Sequence, residues 1–175
     1  MSTMTIPDQV IPLPGDPRLA HALVAAVEDA LSMCGARARL VGITAVPTHE
    51  PGTITGVLGV HGKATGFLIF NVCEPVAKAL TSGFLQEEVD ALNSQVVDTV
   101  GELTNLVAGG LKKRVADTPW AFQSVTVPSV IIGHNYQIAY AKGITYLAAT
   151  FEQENAEALF LDQRLFQAAV SLIRV

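Results

Sequence analysis

Charge is what this 175-residue chain has least of: Asp, Glu, Lys and Arg make up 15% of it, against 50% apolar residues. So apolar a composition is that of a folded chain, and its length suits one domain that buries roughly 70% of its unfolded surface. Basic charge is the scarcer sign. Eleven Lys and Arg against sixteen Asp and Glu leave a net charge of -5 and a pI near 5.3. The longest basic run is Lys112-Lys113-Arg114. Nucleic-acid binding is therefore disfavoured, because neutralising phosphates takes a basic face. Long apolar runs are missing too. Mean hydropathy is +0.39, but stretches such as 19–27 and 125–132 break off well before the roughly 18 positions a membrane helix needs. No basic segment followed by an apolar one opens the chain, so no signal peptide is read and a cytoplasmic protein is expected. The two cysteines, Cys34 and Cys73, lie far apart and read as free thiols. His21, His49, His61 and His134 are scattered outside any metal-ligand spacing, so no bound metal or cofactor is expected. G-x-S-x-G and G-x-x-x-x-G-K-[ST] motifs are absent, which leaves a self-sufficient hydrolase or an NTPase little support.

What is present is a succession of short periodic segments. Residues 1–17 carry Pro7, Pro12, Pro14 and Pro17 and read as an extended tail, with a single domain over 18–175. Leu19, Leu23, Val24, Val27 and Leu31 recur at helical spacing, and Gly35 stands where a helix C′ residue belongs. Strands are predicted at 40–46, 53–60 and 65–72, and a short helix runs from Pro75 until Gly83 ends it. A long helix follows over 86–115, and then strands at 122–127, 130–133, 136–141, 144–151 and 156–162. For 166–175 periodicity does not separate a helical turn from a strand. The order implies an α+β domain of two approximately duplicated helix-plus-antiparallel-sheet units. Trp120 reads as a core or dimer contact.

The long helix has an unusual face. Val96, Val100, Leu103, Val107 and Leu111 form its apolar side, and Asp98, Glu102, Asn105, Gly109 and Lys113 lie opposite. Two acids four apart repel by a few tenths of a kcal/mol, and interior Asn and Gly cost up to about 0.7 and about 1 kcal/mol against Ala. Rules broken together on one exposed face mark a functional site. The plainer alternative is a solvated acidic face, with Gly101, Ala108 and Gly110 admitting a neighbouring helix.

The segment Asp98-Thr99-Val100-Gly101-Glu102-Leu103-Thr104-Asn105, with Pro128 after 22 further residues, resembles the signature of the CheC/CheX/FliY family of chemotaxis phosphatases. That signature is Asp or Ser, three residues, Glu, two residues, Asn, 22 residues and Pro. Residues 101–109 are also similar to the family's GELxNxxAG stretch, and the resemblance extends over about 18–164. CheC and FliY types carry the Glu-x-x-Asn pair on two helices. Here the first helix has Glu28 with Leu31 three later, so the chain resembles the single-site CheX type. The resemblance implies a CheX/CheC-like fold and hydrolysis of the phosphorylated aspartate of a CheY-type receiver domain, in chemotaxis or a related two-component pathway. It implies Glu102 and Asn105 as the catalytic pair, with Asp98, Gly109 and Pro128 supporting or docking. Any Mg²⁺ would belong to the receiver. It also implies a homodimer formed through sheet contacts, for which the late strands 144–162 read as the edge. The competing reading is a non-catalytic module that docks a receiver or a flagellar-switch partner.

Overall fold

The computed structural model describes residues 14–47, 52–133, 142–154 and 160–175. Its helices are α1 (Pro17–Ser32), α2 (Glu74–Leu85) and α3 (Ser94–Arg114). Its strands are β1 (Ala38–Thr44), β2 (Ile54–Gly62), β3 (Ala64–Val72), β4 (Phe122–Val125), β5 (Ser129–Ile132), β6 (Thr145–Gln153) and β7 (Leu165–Arg174). None of the described helices is long and apolar enough to cross a membrane.

The strands form one antiparallel sheet in the order β1-β6-β7-β3-β2, with β4 and β5 pairing successive stretches of β2. This order expresses the duplication. The unit α1-β1-β2-β3 and the unit α3-β4/β5-β6-β7 each lend their first strand to the other's second, so β1 pairs β6 and β4/β5 pair β2. The two last strands, β3 and β7, meet at the centre. Helices α1 and α3 pack against each other and on one face of the sheet, over a core that includes Leu23, Val27, Leu58, Leu68, Phe70, Val100 and Leu103. Phe151 and Phe166 stack across β6 and β7 at 5.3 Å between ring centroids.

Several boundaries differ from the sequence expectation for identifiable reasons. The predicted 86–115 helix begins only at Ser94, where the Asn93 side chain accepts from the Val96 N–H at 3.1 Å and caps the helix. Helix α2 runs past Gly83 to Leu85 and ends at Gln86 in the left-handed conformation. Gly83 is there for space, since a Cβ on it would overlap the Cys34 carbonyl oxygen. Residues 166–175 are a central strand buried on both faces along most of its length, which is why no alternation marked it. The predicted strand 136–141 lies outside the described residues, as does most of 156–162. Of the remainder, 160–162, Phe160 is the N-cap and residues 161–162 open a 3₁₀ turn over Leu161–Arg164. β6 is not an edge, because β1 and β7 flank it.

Helix α1 starts at Pro17 and draws Asp16, placed in the tail by composition, into the fold. Asp16 caps the helix by accepting from the Arg18 N–H at 2.9 Å, and the Trp120 indole N–H donates to its other oxygen at 2.9 Å. Arg174 from the end of β7 lies over the Trp120 ring at 5.2 Å. Bonding from Arg18 first, and then from Trp120, holds the Asp16 carboxyl down at about 2. A lowered folded-state pKa gives stability that is present above the unfolded value of 3.8 and is lost as pH falls through about 2. Asp16→Asn keeps a capping side chain but not the charge. It is expected to cost about 1 kcal/mol at pH 7, moderated by the solvent around Arg18, and to match wild type near pH 2. Urea unfolding between pH 2 and 7 reads this; parallel curves for the two proteins would refute it.

Candidate functional site: the exposed face of α3

Helix α3 is seated by its own small residues. Thr104 is fully buried, its hydroxyl donates to the Val100 carbonyl at 2.6 Å, and it occupies the space that Gly56 of β2 leaves open. Gly110 meets Ala26 of α1, as the packing alternative anticipated. With that side fixed, the 3.6-residue period turns Asp98, Glu102 and Asn105 outward, and all three are exposed.

Beside them runs the link from β4 to β5, residues 126–128. Thr126 pins it to β2: its N–H donates to the Gly59 carbonyl at 2.9 Å, and its hydroxyl accepts from the Gly59 N–H at 2.8 Å. Gly101 faces the link, with Pro128 Cγ 3.9 Å from where a Cβ would stand, which is ordinary contact distance. An open cleft of about 690 Å³ results, lined by Asp98, Gly101, Glu102 and Asn105 on one side and by 125–128 and Val130 on the other. Residues separated by 22 positions in the sequence thus share one wall-to-wall site. Gly109, one turn beyond Asn105, lies outside the cleft lining, and apart from its own stretch of helix no described residue comes within 4 Å of an added Cβ there.

No hydrogen bond or ion pair to a described residue engages the side chains of Asp98, Glu102 or Asn105. Two uncompensated carboxylates make this end of α3 electronegative, while Lys112, Lys113 and Arg114 offset the helix dipole at the other end. Arg114 is tied to Asp29 of α1 at 2.6 Å. Among the described residues no group of three or more His, Cys, Asp or Glu is arranged to hold a metal. The cleft offers an amide able to donate and accept at once, and carboxylates open to a cation from outside.

Three contributors were not read from the sequence: Thr104 and Thr126, which position the two walls, and Val127. Val127 stands 87% exposed on the rim, an apolar side chain beside the polar stripe. Residue type alone marked none of them, since their roles depend on partners 48 and 67 positions away.

The family model of the chemotaxis phosphatase CheX matches residues 54–152, more than half of the chain and all of the cleft. The chain belongs to this family. Solved structures share the fold. CheX from Desulfovibrio desulfuricans has a TM-score of 0.74 at 21% identity, over 89% of this chain and 99% of that one. CheX from Vibrio vulnificus has a TM-score of 0.73 at 22% identity, over 87% and 98%. CheX of Borrelia burgdorferi, solved as a complex with CheY, BeF3 and Mg²⁺, has a TM-score of 0.66 at 18% identity, over 89% and 96%. No curated protein matches the chain. At these identities the likeness to solved structures is one of fold, and the mixed α/β architecture expected from the sequence is that of CheX.

The position of Gly109 gives a test of the free face. Gly109→Ala adds a methyl group in open space and removes a glycine from a helix interior, so it is expected to stabilise the protein by about 0.5–1 kcal/mol. A rise in thermal midpoint of a few degrees checks it; a fall would mean that the face is covered.

Proposed function

We propose that the protein is a protein-aspartate phosphatase that accelerates dephosphorylation of a CheY-type receiver domain, in chemotaxis or a related two-component pathway. The carrying observation is the set Asp98, Glu102 and Asn105, exposed and without partners among the described residues on one helix face, with Pro128 across a cleft. The CheX–CheY complex of Borrelia burgdorferi supports a CheY-type partner.

In the reaction, water attacks phosphorus as the bond to the aspartyl oxygen breaks, giving inorganic phosphate and a free carboxylate. The proton of the water goes to a phosphate oxygen. Such chemistry depends on alignment and charge stabilisation more than on a protein nucleophile. Asn105 aligns the water, its amide oxygen accepting from it and its N–H₂ donating toward the phosphoryl oxygens. Glu102, one turn earlier on the same face, pairs with a lysine of the receiver beside the phosphoryl group and fixes the register of the two proteins. Asp98 supports that contact, Pro128 shapes the facing wall, and Gly109 keeps the approach clear. Mg²⁺ is brought by the receiver. A homodimer belongs to the same reading, and β1, the sheet edge away from the cleft, is the strand open to a second copy.

The experiment is direct: label a CheY-type receiver with acetyl phosphate, add the protein, and follow loss of phosphate. Accelerated loss supports the phosphatase. Binding with an unchanged phosphate lifetime would favour a docking module, and neither effect with any receiver of the source organism would overturn both.

A further inference from the structure

A second cleft lies further along the helix that bears the proposed catalytic face. Of about 340 Å³, it is lined by Lys112 of α3, by Ala116 in the turn that follows the helix, by Phe122 and Gln123 of β4, and by Lys63 and Ala121. The first cleft has α3 and β4 among its walls as well, with Asn105 on the helix and Val125 on the strand. Positions 98, 102, 105, 109 and 112 form one helical stripe. Between the two clefts that stripe carries only Gly109, where no described residue from another element would meet an added Cβ. The two clefts thus lie along the same stripe of α3 and the same strand β4.

Their charges are opposite. The catalytic end carries Asp98 and Glu102; the far end carries Lys63 and Lys112, both exposed and neither in a salt bridge with a described residue. Lys112 alone is explained by the helix C-terminus, whose carbonyls favour cations. Lys63 is not, because it comes from the turn between β2 and β3, held there by the Val175 N–H donating to its carbonyl at 2.9 Å. Two lysines from separate elements lining one small cleft suit an anionic side chain. Seven residues of helix separate Lys112 from Asn105, a rise of about 10 Å.

We infer that the Lys63–Lys112 cleft is a second docking point for the receiver, taking a carboxylate that the receiver presents about 10 Å from its phosphorylated aspartate. This rests on the proposed function above, and it deepens that reading. A partner that sets a lysine against Glu102 and a carboxylate between Lys63 and Lys112 fits in one direction only, so the pair of clefts selects among receivers and orients the one that enters. The lysines touch the partner away from the reacting atoms. They set affinity, not the chemical step.

The test uses a beryllofluoride-activated CheY-type receiver for binding and the phosphorylated receiver for turnover. Lys63→Glu/Lys112→Glu is expected to weaken binding about tenfold and to raise KM by a similar factor, leaving kcat within about twofold. Wild-type affinity is expected to fall more steeply with salt than that of the double variant. Arg37→Glu, a single charge reversal on the loop before β1, should change neither constant, and thermal melts show whether each variant is folded. Equal KM, affinity and salt dependence in wild type and double variant would overturn the inference while leaving the phosphatase intact. Wild-type binding without faster dephosphorylation, weakened by the double variant, would keep the second docking point and remove the phosphatase. No binding to any receiver would overturn both.

Discussion

Asn105→Ala is expected to lower receiver dephosphorylation by the protein roughly 100-fold or more, mainly in kcat, because a donor preorganised for the transition state typically contributes that much. The substitution is clean. Asn105 is exposed and bonds to no described residue, so its loss removes nothing from the fold. Alanine is also the better helix former, and the variant should be as stable as wild type or more so by about 0.5 kcal/mol. Binding to a beryllofluoride-activated receiver should stay within a few fold, since Glu102 and the rest of the cleft are untouched. Asn105→Asp is a sharper companion. It keeps the shape, loses the N–H₂ donor, and adds a third negative charge to a face that already holds Asp98 and Glu102. It should be no more active than Asn105→Ala and should bind the activated receiver less tightly, as like charges face the phosphoryl group. Stopped-flow or radiolabel decay measurements of the two variants beside wild type read both effects. If Asn105→Ala kept wild-type kcat, the water would have to be aligned by another group, and the assignment of Asn105 would fail.

The parts of this site that sequence could give were those written along a single element. A 3.6-residue period places Asp98, Glu102 and Asn105 on one face of α3 without any knowledge of the sheet, and that face is exposed as expected. Pro128 entered only through the family signature, because an edge link reaching a helix 22 residues away in sequence has no periodic trace. Other features depended on tertiary partners. The gap between α2 and α3 turns on the Asn93 cap, one residue that stops an otherwise continuous helical reading. β7 looked ambiguous because burial on both faces erases alternation. The late strands were expected at an edge because they are apolar, but β6 is apolar for the opposite reason: the exchange of first strands between the two units puts β1 beside it.

Gly56→Ala is expected to cost about 1–3 kcal/mol, and more if the helix cannot shift, as overpacking of a filled core does. A Cβ at residue 56 would overlap the Thr104 hydroxyl, which is fully buried and donates to the Val100 carbonyl at 2.6 Å. Rotating Thr104 away would break that bond. One of the two alternative rotamers would put its methyl group in the same space, and its Cβ stays at 3.0 Å in either, so strain passes to the backbone of α3. Residue 104 adjoins Asn105, and a helix lifted there carries the amide away from the link that bears Pro128. Displacement by about 1 Å is enough to cost a positioning residue much of its effect, so activity should fall further than stability alone explains. Thr104→Ala removes the overlapping oxygen, although the residue's own Cβ would still stand 3.0 Å from the new methyl group. The double variant should therefore recover part of the loss, with a coupling energy of about 1 kcal/mol or more between the two sites. Urea unfolding of the four proteins in this cycle measures it. Additive losses would mean that strand and helix do not touch at this point, and the seating of the exposed α3 face would need another cause.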